Sequence, residues 1–149
     1  MKYVLRKAIS ADTIRIEGLF VEMLKAVYHT DDTEGYETGY LDKFFSDKED
    51  WICVAEYENE VVAFLSIEVY RDEDHIYLDD LSVAEDCRNK GIGTALIHAA
   101  EKYAAEIGIA KIVLHVEKAN EDAYRLYLRL GYIEDADEGS RIRMNKSVK

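Results

Sequence analysis

After Val83 the periodicity of this chain changes, and that change limits the folds open to it. Trp51 to Tyr57 and Val61 to Tyr70 read as two strands joined by the polar turn Glu58-Asn59-Glu60. A second turn, Arg71-Asp72-Glu73-Asp74, leads to a third strand from about Ile76 to Val83. Beyond it, Leu96, Ala99, Ala100, Tyr103, Ala104 and Ile107 recur at helical spacing, and Gly108 stands where a left-handed helix stop is wanted. Ile112, Leu114 and Val116 then alternate as a strand. A strand, a helix and a strand in that order need a crossover and a parallel pairing, whereas the hairpins before them are antiparallel. The fold class is therefore mixed α/β (α+β): a central, mostly antiparallel sheet with one parallel β-α-β unit, flanked by helices.

The remaining segments fit around that sheet. Tyr3 to Arg6 reads as a short first strand. Ser10 or Asp12 is placed to cap a helix in which Ile16, Leu19, Phe20, Met23 and Val27 recur, to about Tyr28. Thr30 to Asp50 is irregular, with a short helix around Tyr40 to Phe45. Asn120 is placed to cap a last helix, striped by Ala123, Leu126, Tyr127 and Leu130 and ended by Gly131. Final strands are expected over Tyr132–Ile133 and Arg141–Met144. With 149 residues, no proline and no linker or repeat, one domain spanning 1–149 is expected.

Composition removes several function classes. Lys and Arg number 19 against 31 Asp and Glu, a net charge of −12, which argues against a general nucleic-acid or anionic-membrane binder and suits a cationic partner. The N-terminus has no signal-peptide pattern and no stretch approaches a membrane span. Two cysteines, Cys53 and Cys87, make no disulfide framework, so a cytoplasmic location is expected. His29, His75, His98 and His115 show no metal-ligand spacing, and no metal is expected. Cys87 has no histidine near it in sequence and reads as a small apolar residue, and Trp51 as a core residue at a strand start.

The stretch between the third strand and the long helix carries the chemistry. Gly91 and Gly93 let backbone turn and come close to a ligand. The helix start that follows offers free N–H groups and the positive end of its dipole. Arg88 and Lys90 add positive charge to an otherwise acidic chain. These are the parts needed to cradle a pyrophosphate. The P-loop pattern Gly-x-x-x-x-Gly-Lys-Ser/Thr is absent, and Leu96 stands where the dinucleotide fingerprint needs its third glycine.

Arg88-Asn89-Lys90-Gly91-Ile92-Gly93 resembles the Arg/Gln-x-x-Gly-x-Gly/Ala signature of the acetyl-CoA-dependent N-acetyltransferases of the GNAT superfamily. Asn120, Ala123, Leu126-Tyr127 and Gly131-Tyr132 match that family's second element, and the resemblance covers about Tyr77 to Tyr132. It implies acetyl-CoA as cosubstrate. It implies that backbone at Leu81, Ser82 and Val83 pairs with the pantetheine arm like an added strand. The backbone of Arg88, Asn89, Lys90, Gly91, Ile92, Gly93 and Thr94 would hold the pyrophosphate. Asn120 would contact the cofactor near the end of that arm, and Tyr127 would stand near the thioester sulfur.

Acetyl transfer to an amine makes three demands. The amine must be neutral, which for a lysine-like group at pH 7 costs about 4–5 kcal/mol unless the site lowers its pKa or takes its proton. The oxyanion needs a hydrogen-bond donor, which a bulge in the central strand could supply. The leaving thiolate needs a proton, and Tyr127 is the candidate acid. No covalent enzyme intermediate is required. Asp79 is the candidate base or amine anchor: strand alternation puts it on the face of Leu81 and Val83. The segment around Asp79 resembles the aminoglycoside 6′-N-acetyltransferases, with Asp in place of their usual Glu, so a water relay is an alternative and Asp80 is the fallback.

The acceptor side is marked by charge. Residues 31–50 carry Asp31, Asp32, Glu34, Glu37, Asp42, Asp47, Glu49 and Asp50 against Lys43 and Lys48, interleaved with Tyr36, Tyr40, Phe44 and Phe45. Acids among aromatic faces suit an amine cation. The expected function is thus N-acetylation of a small cationic acceptor, aminoglycoside-like or polyamine-like. The alternatives are acetylation of a protein N-terminus or lysine, and a non-catalytic CoA-binding sensor. Family habit implies a homodimer; the residues themselves supply no argument for it.

Overall fold

The protein is described by a computed structural model covering residues 2–46 and 49–149; Asp47 and Lys48, counted above in the acidic segment, lie outside the described residues. Seven strands form one sheet: β1 (Val4–Lys7), β2 (Trp51–Tyr57), β3 (Glu60–Tyr70), β4 (His75–Val83), β5 (Lys111–Glu117), β6 (Ile133–Asp137) and β7 (Arg141–Ser147). Their spatial order is β1-β2-β3-β4-β5-β7-β6, and only β4 and β5 pair in parallel. The helices are α1 (Thr13–Tyr28), α2 (Lys43–Ser46), α3 (Ile92–Glu106) and α4 (Glu121–Arg129). The mixed α/β class and the single parallel unit stand as the periodicity predicts.

Local chemistry explains most boundaries. Glu58 and Asn59 both take left-handed φ in the β2–β3 turn (51° and 66°), and Asn is one of the residues that tolerates this region. Asn120 accepts a hydrogen bond from Ala123 N–H and caps α4. At α1 the expectation shifts. Asp12 makes no side-chain cap on that helix; its carboxylate accepts from Ile9 N–H (2.9 Å) and is gripped by Arg6 (2.8 Å). The final hairpin is longer than the apolar residues suggest, because β6 is a polar edge strand, Ile133-Glu134-Asp135-Ala136-Asp137, held by pairing to β7 alone. In β5, Val113 is buried along with Ile112 and Leu114, so a central strand covered on both faces replaces the simple alternation.

The core lies on both sides of the sheet. Trp51 and Cys53 of β2 pair with Ile67 and Leu65 of β3 and meet Ala99 and Tyr103 of α3; Trp51 packs edge-on against Tyr103, and Cys53 is buried. The opposite face carries Ser66 and Glu68 of β3 and receives Tyr36, Tyr40 and Lys43. Thirty or so apolar side chains are buried, among them Ile16, Leu19, Phe44, Phe64, Leu96, Ile97 and Ile112. At about 25 cal/mol per Å² of apolar area removed from water, this burial supplies the main driving force for the fold.

Candidate active site

Two register features create the site. Parallel pairing between β4 and β5 ends at Leu78↔Leu114. Beyond it β4 continues along β3 to Ala63↔Val83, while β5 continues along β7 to Glu117↔Arg141, so the strands part and leave a wedge. Between Leu81↔Leu65 and Leu78↔Ile67, two residues of β4, Asp79 and Asp80, oppose the single residue Ser66. That is a β-bulge. Ser66 fills the break: its Oγ accepts from Asp80 N–H (3.0 Å) and donates to Asp80 C=O (3.4 Å).

The bulge overturns one expectation. Leu78 and Leu81 oppose Ile67 and Leu65, which are two apart, so they share a face despite being three apart themselves. Asp79 therefore does not lie with Leu81 and Val83. It faces the same side as Asp80, where each carboxylate accepts from a tyrosine hydroxyl: Tyr40 on Asp79 (2.5 Å) and Tyr36 on Asp80 (2.6 Å). The expected bulge is present, but the Asp80 N–H within it is committed to Ser66.

On one side of the wedge lies a cleft of about 650 Å³. Leu81, Ser82 and Val83 line it from β4, Arg88 to Asn89 and Gly91 to Thr94 from the loop and α3, and Asn120 from the start of α4. Every cofactor residue singled out in the sequence lines this cleft except Lys90, which is exposed beside it. The loop is held firmly. Arg88 Nε donates to Val83 C=O (3.0 Å), Cys87 N–H to Ala84 C=O (2.9 Å), and Glu22 of α1 accepts from Glu85 N–H (2.8 Å). Gly91 at φ +82° is the N-cap of α3, in a conformation that L side chains avoid. The first helical bond runs from Ala95 N–H to Gly91 C=O (3.0 Å), so the amides of Ile92, Gly93 and Thr94 have no acceptor within the helix.

These residues fit the cosubstrate they were assigned to. Three uncapped amides at a helix N-terminus are an anion site. A Cβ on Gly93 would stand 3.4 Å from Leu126, which shows how closely α3 and α4 approach at the cleft wall. Ser82 Oγ is buried and has no protein partner, an orphaned polar atom on the strand that a pantetheine arm would follow. Asn120 lines the cleft, although its side-chain oxygen serves α4.

Asp79 and Asp80 stand at the vertex of the wedge, and Tyr127, which does not line the cleft, is close enough to feel the charge of Asp80. Asp80 is mostly buried beside Asp79, and desolvation followed by that neighbouring charge pushes its carboxyl up to about 7; the Tyr36 hydrogen bond pulls the other way. Tyr127 of α4 is 6% exposed and packs edge-on against Tyr132 (centroids 5.8 Å apart). Burial raises its hydroxyl pKa, with smaller contributions from Asp80 and Tyr77, so it is a protonated donor throughout the physiological range. Cys87 lines the cleft but is buried against Asp86, and both effects raise its thiol, which favours direct transfer over a thiolate route.

The aromatic row and three further groups gain their roles only from the fold. Phe20, Tyr36 and Tyr40 stack in a row, with centroids 3.9 and 4.8 Å apart, and the Tyr36 and Tyr40 hydroxyls reach the two aspartates. The sequence marks Tyr36 and Tyr40 only as aromatics interleaved with acids, and Phe20 only as part of the apolar stripe of α1. Glu68 and the pair Tyr77–His115 carry no such mark. Tyr77 hydroxyl lies 2.7 Å from His115 Nδ1, at the first β5 residue past the last parallel pair, and His115 Nε2 lies 3.0 Å from Glu138. Conversely, Glu37 and Asp42 of the acidic segment are exposed, while Glu49 binds Arg71 and Asp50 accepts from Val69 N–H (2.8 Å). Among the described residues no cluster of three or more His, Cys, Asp or Glu has the arrangement of a metal site, and no helix is long and apolar enough to cross a membrane.

Comparison with known proteins agrees with this geometry. The model of the Acetyltransferase (GNAT) family matches residues 16–132. An uncharacterized N-acetyltransferase of Methanocaldococcus jannaschii is 33% identical over 130 residues, covering 87% of this chain and 77% of its own. The uncharacterized N-acetyltransferase YhfO of Bacillus subtilis is 32% identical over 139 residues, 88% of this chain and 90% of its own. The same fold occurs in the crystal structure of the PaiA N-acetyltransferase from Thermoplasma acidophilum in complex with coenzyme A, at a TM-score of 0.81, 20% identity and 99% coverage of both chains. The chain belongs to the GNAT family of N-acetyltransferases.

Proposed function

We propose that this enzyme acetylates a primary amine of a small cationic acceptor, aminoglycoside-like or polyamine-like, in the cytoplasm. The observation that carries the reading is the convergence of Asp79 and Asp80 at the vertex of the wedge, each held by a tyrosine hydroxyl, from Tyr40 and Tyr36. Two neighbouring carboxylates attract an ammonium.

Acetyl-CoA supplies the acetyl group as a thioester. Leu81, Ser82 and Val83 hold its arm, and the loop from Arg88 to Thr94, chiefly the free amides of Ile92, Gly93 and Thr94, holds its pyrophosphate. Asn120 borders the cleft near the reacting end. Asp79, fixed by Tyr40, anchors the incoming ammonium. Asp80 takes the proton, because its raised proton affinity suits a base working near neutral pH. The bulge that turns both aspartates to one face is what allows this division. Tyr127, protonated and buried, donates to the departing sulfur. No enzyme nucleophile is used.

The test is thiol release from acetyl-CoA with a panel of aminoglycosides, spermidine and spermine, amino acids, and peptides with free N-termini. Turnover with the aminoglycosides or polyamines is expected. Turnover confined to the peptides would overturn the acceptor assignment.

A further inference from the structure

The acceptor face carries a cation of its own among its acids. Lys43 opens α2, and its Nζ lies 4.9 Å from the ring centre of Tyr40 and 5.0 Å from that of Phe44. It forms an ion pair with Glu68 of β3. The two partners are unequally held. Glu68 projects from a central strand with its side chain 12% exposed, whereas the Lys43 side chain is 43% exposed and hangs on a one-turn helix. The carboxylate is fixed in place and the ammonium can leave.

The spacing gives this pair a meaning. Ser66, which bonds the backbone of Asp80, and Glu68 are two residues apart on β3, roughly 7 Å along the strand. Glu68 thus provides a second anionic position about that far from the Asp79–Asp80 mouth. Two ammonium groups joined by a chain of about four or five carbons span such a gap. The seated ammonium of Lys43 shows that Glu68 and the two rings accept a cation. We propose that Glu68, Tyr40 and Phe44 form the subsite for the second ammonium of a diamine acceptor, and that Lys43 fills this subsite until the acceptor displaces it. The proposal rests on the reading that the reacting amine enters at Asp79 and Asp80.

The test compares putrescine with butylamine, which has equal length and one ammonium. Each is assayed by thiol release and by calorimetry on the CoA-loaded enzyme, in the wild type, Lys43→Met and Glu68→Gln. Lys43→Met keeps the apolar stem over the rings and removes the competing charge. It should lower the KM and Kd of putrescine about five- to tenfold and change those of butylamine less than about twofold. Glu68→Gln should weaken putrescine by a similar factor and spare butylamine. A structural role for Lys43 would move both amines together, and that result would overturn the proposal. So would a putrescine affinity that neither variant changes. Turnover of both amines with no selective effect would sink the subsite and leave the acceptor reading intact. Calorimetric tightening of putrescine by Lys43→Met without any turnover would keep the subsite and leave the reacting amine to the wider acceptor panel. Failure of putrescine to bind would overturn the subsite, and turnover of the aminoglycosides would still decide the acceptor reading.

Discussion

In the proposed function, donor-side recognition is built from backbone: a stretch of β4 paired on one edge only, a glycine N-cap and three free amides, all within residues 81–94. On the acceptor side it is built from side chains that arrive from afar, with Tyr36 and Tyr40 meeting aspartates 44 and 39 residues later. Backbone recognition is written in local conformation and tolerates varied side chains. Side-chain recognition depends on register, here on one bulge opposite Ser66. The donor side should therefore fail through conformational strain, and the acceptor side through loss of single functional groups.

The sharpest break in that contrast comes from Tyr127→Phe. It keeps the packing against Tyr132 and removes one hydroxyl. Turnover should drop by about 10²- to 10³-fold with CoA affinity unchanged by calorimetry. Unchanged turnover would remove Tyr127 as the acid.

Asp80→Asn comes next. It should lower kcat/KM by about 10²-fold and leave CoA binding intact. In the wild type, kcat/KM should fall as pH drops through about 7, because the base is then protonated. Tyr36→Phe removes the hydrogen bond that lowers this carboxyl's proton affinity, so the midpoint should move upward. Stability has the opposite sign. The folded-state pKa lies above the unfolded value of 3.8, so the penalty is absent below that pH, grows as pH rises, and is complete above about 7. Asp80→Asn should accordingly raise Tm at pH 8 and leave it unchanged at pH 3. An equal gain at both pH values would mean that packing, not charge, is responsible.

Gly91→Ala tests the donor side. Nothing lies within 4 Å of the added Cβ, so its cost is the left-handed φ of +82°, about 1–2 kcal/mol. CoA affinity should weaken about tenfold while the acceptor KM stays constant. A selective change in acceptor KM would show that the two sides are coupled through α3.

The same contrast explains what the sequence makes legible. The Gly91–Gly93 loop, the Asn120 cap and the switch to a helix–strand pattern are local signals, and each lies where the chain predicts it. The α/β class follows because a strand, helix and strand admit few arrangements. The facing of Asp79 was not legible, since alternation assumes an unbroken ladder and the bulge adds a residue. Nor was Glu68, whose partner Lys43 is 25 residues earlier with nothing in its spacing to mark it. Net acidity pointed toward residues 31–50, yet the carboxylates that gather at the mouth come from β3 and β4.

That displacement makes the smallest prediction a discriminating one. Glu37 and Asp42 are exposed, and no hydrogen bond joins either side chain to the aspartate pair among the described residues. Exposed charges act through water and are screened by salt, with a Debye length of about 8 Å at physiological ionic strength. Glu37→Gln and Asp42→Asn should therefore change the acceptor KM by less than about twofold, singly or together. A larger increase that vanishes at high salt would mean that the outer segment steers the cation toward the wedge. An increase that survives high salt would mean direct contact, and would extend the acceptor site from the sheet face to the rim that the sequence first marked by its charge.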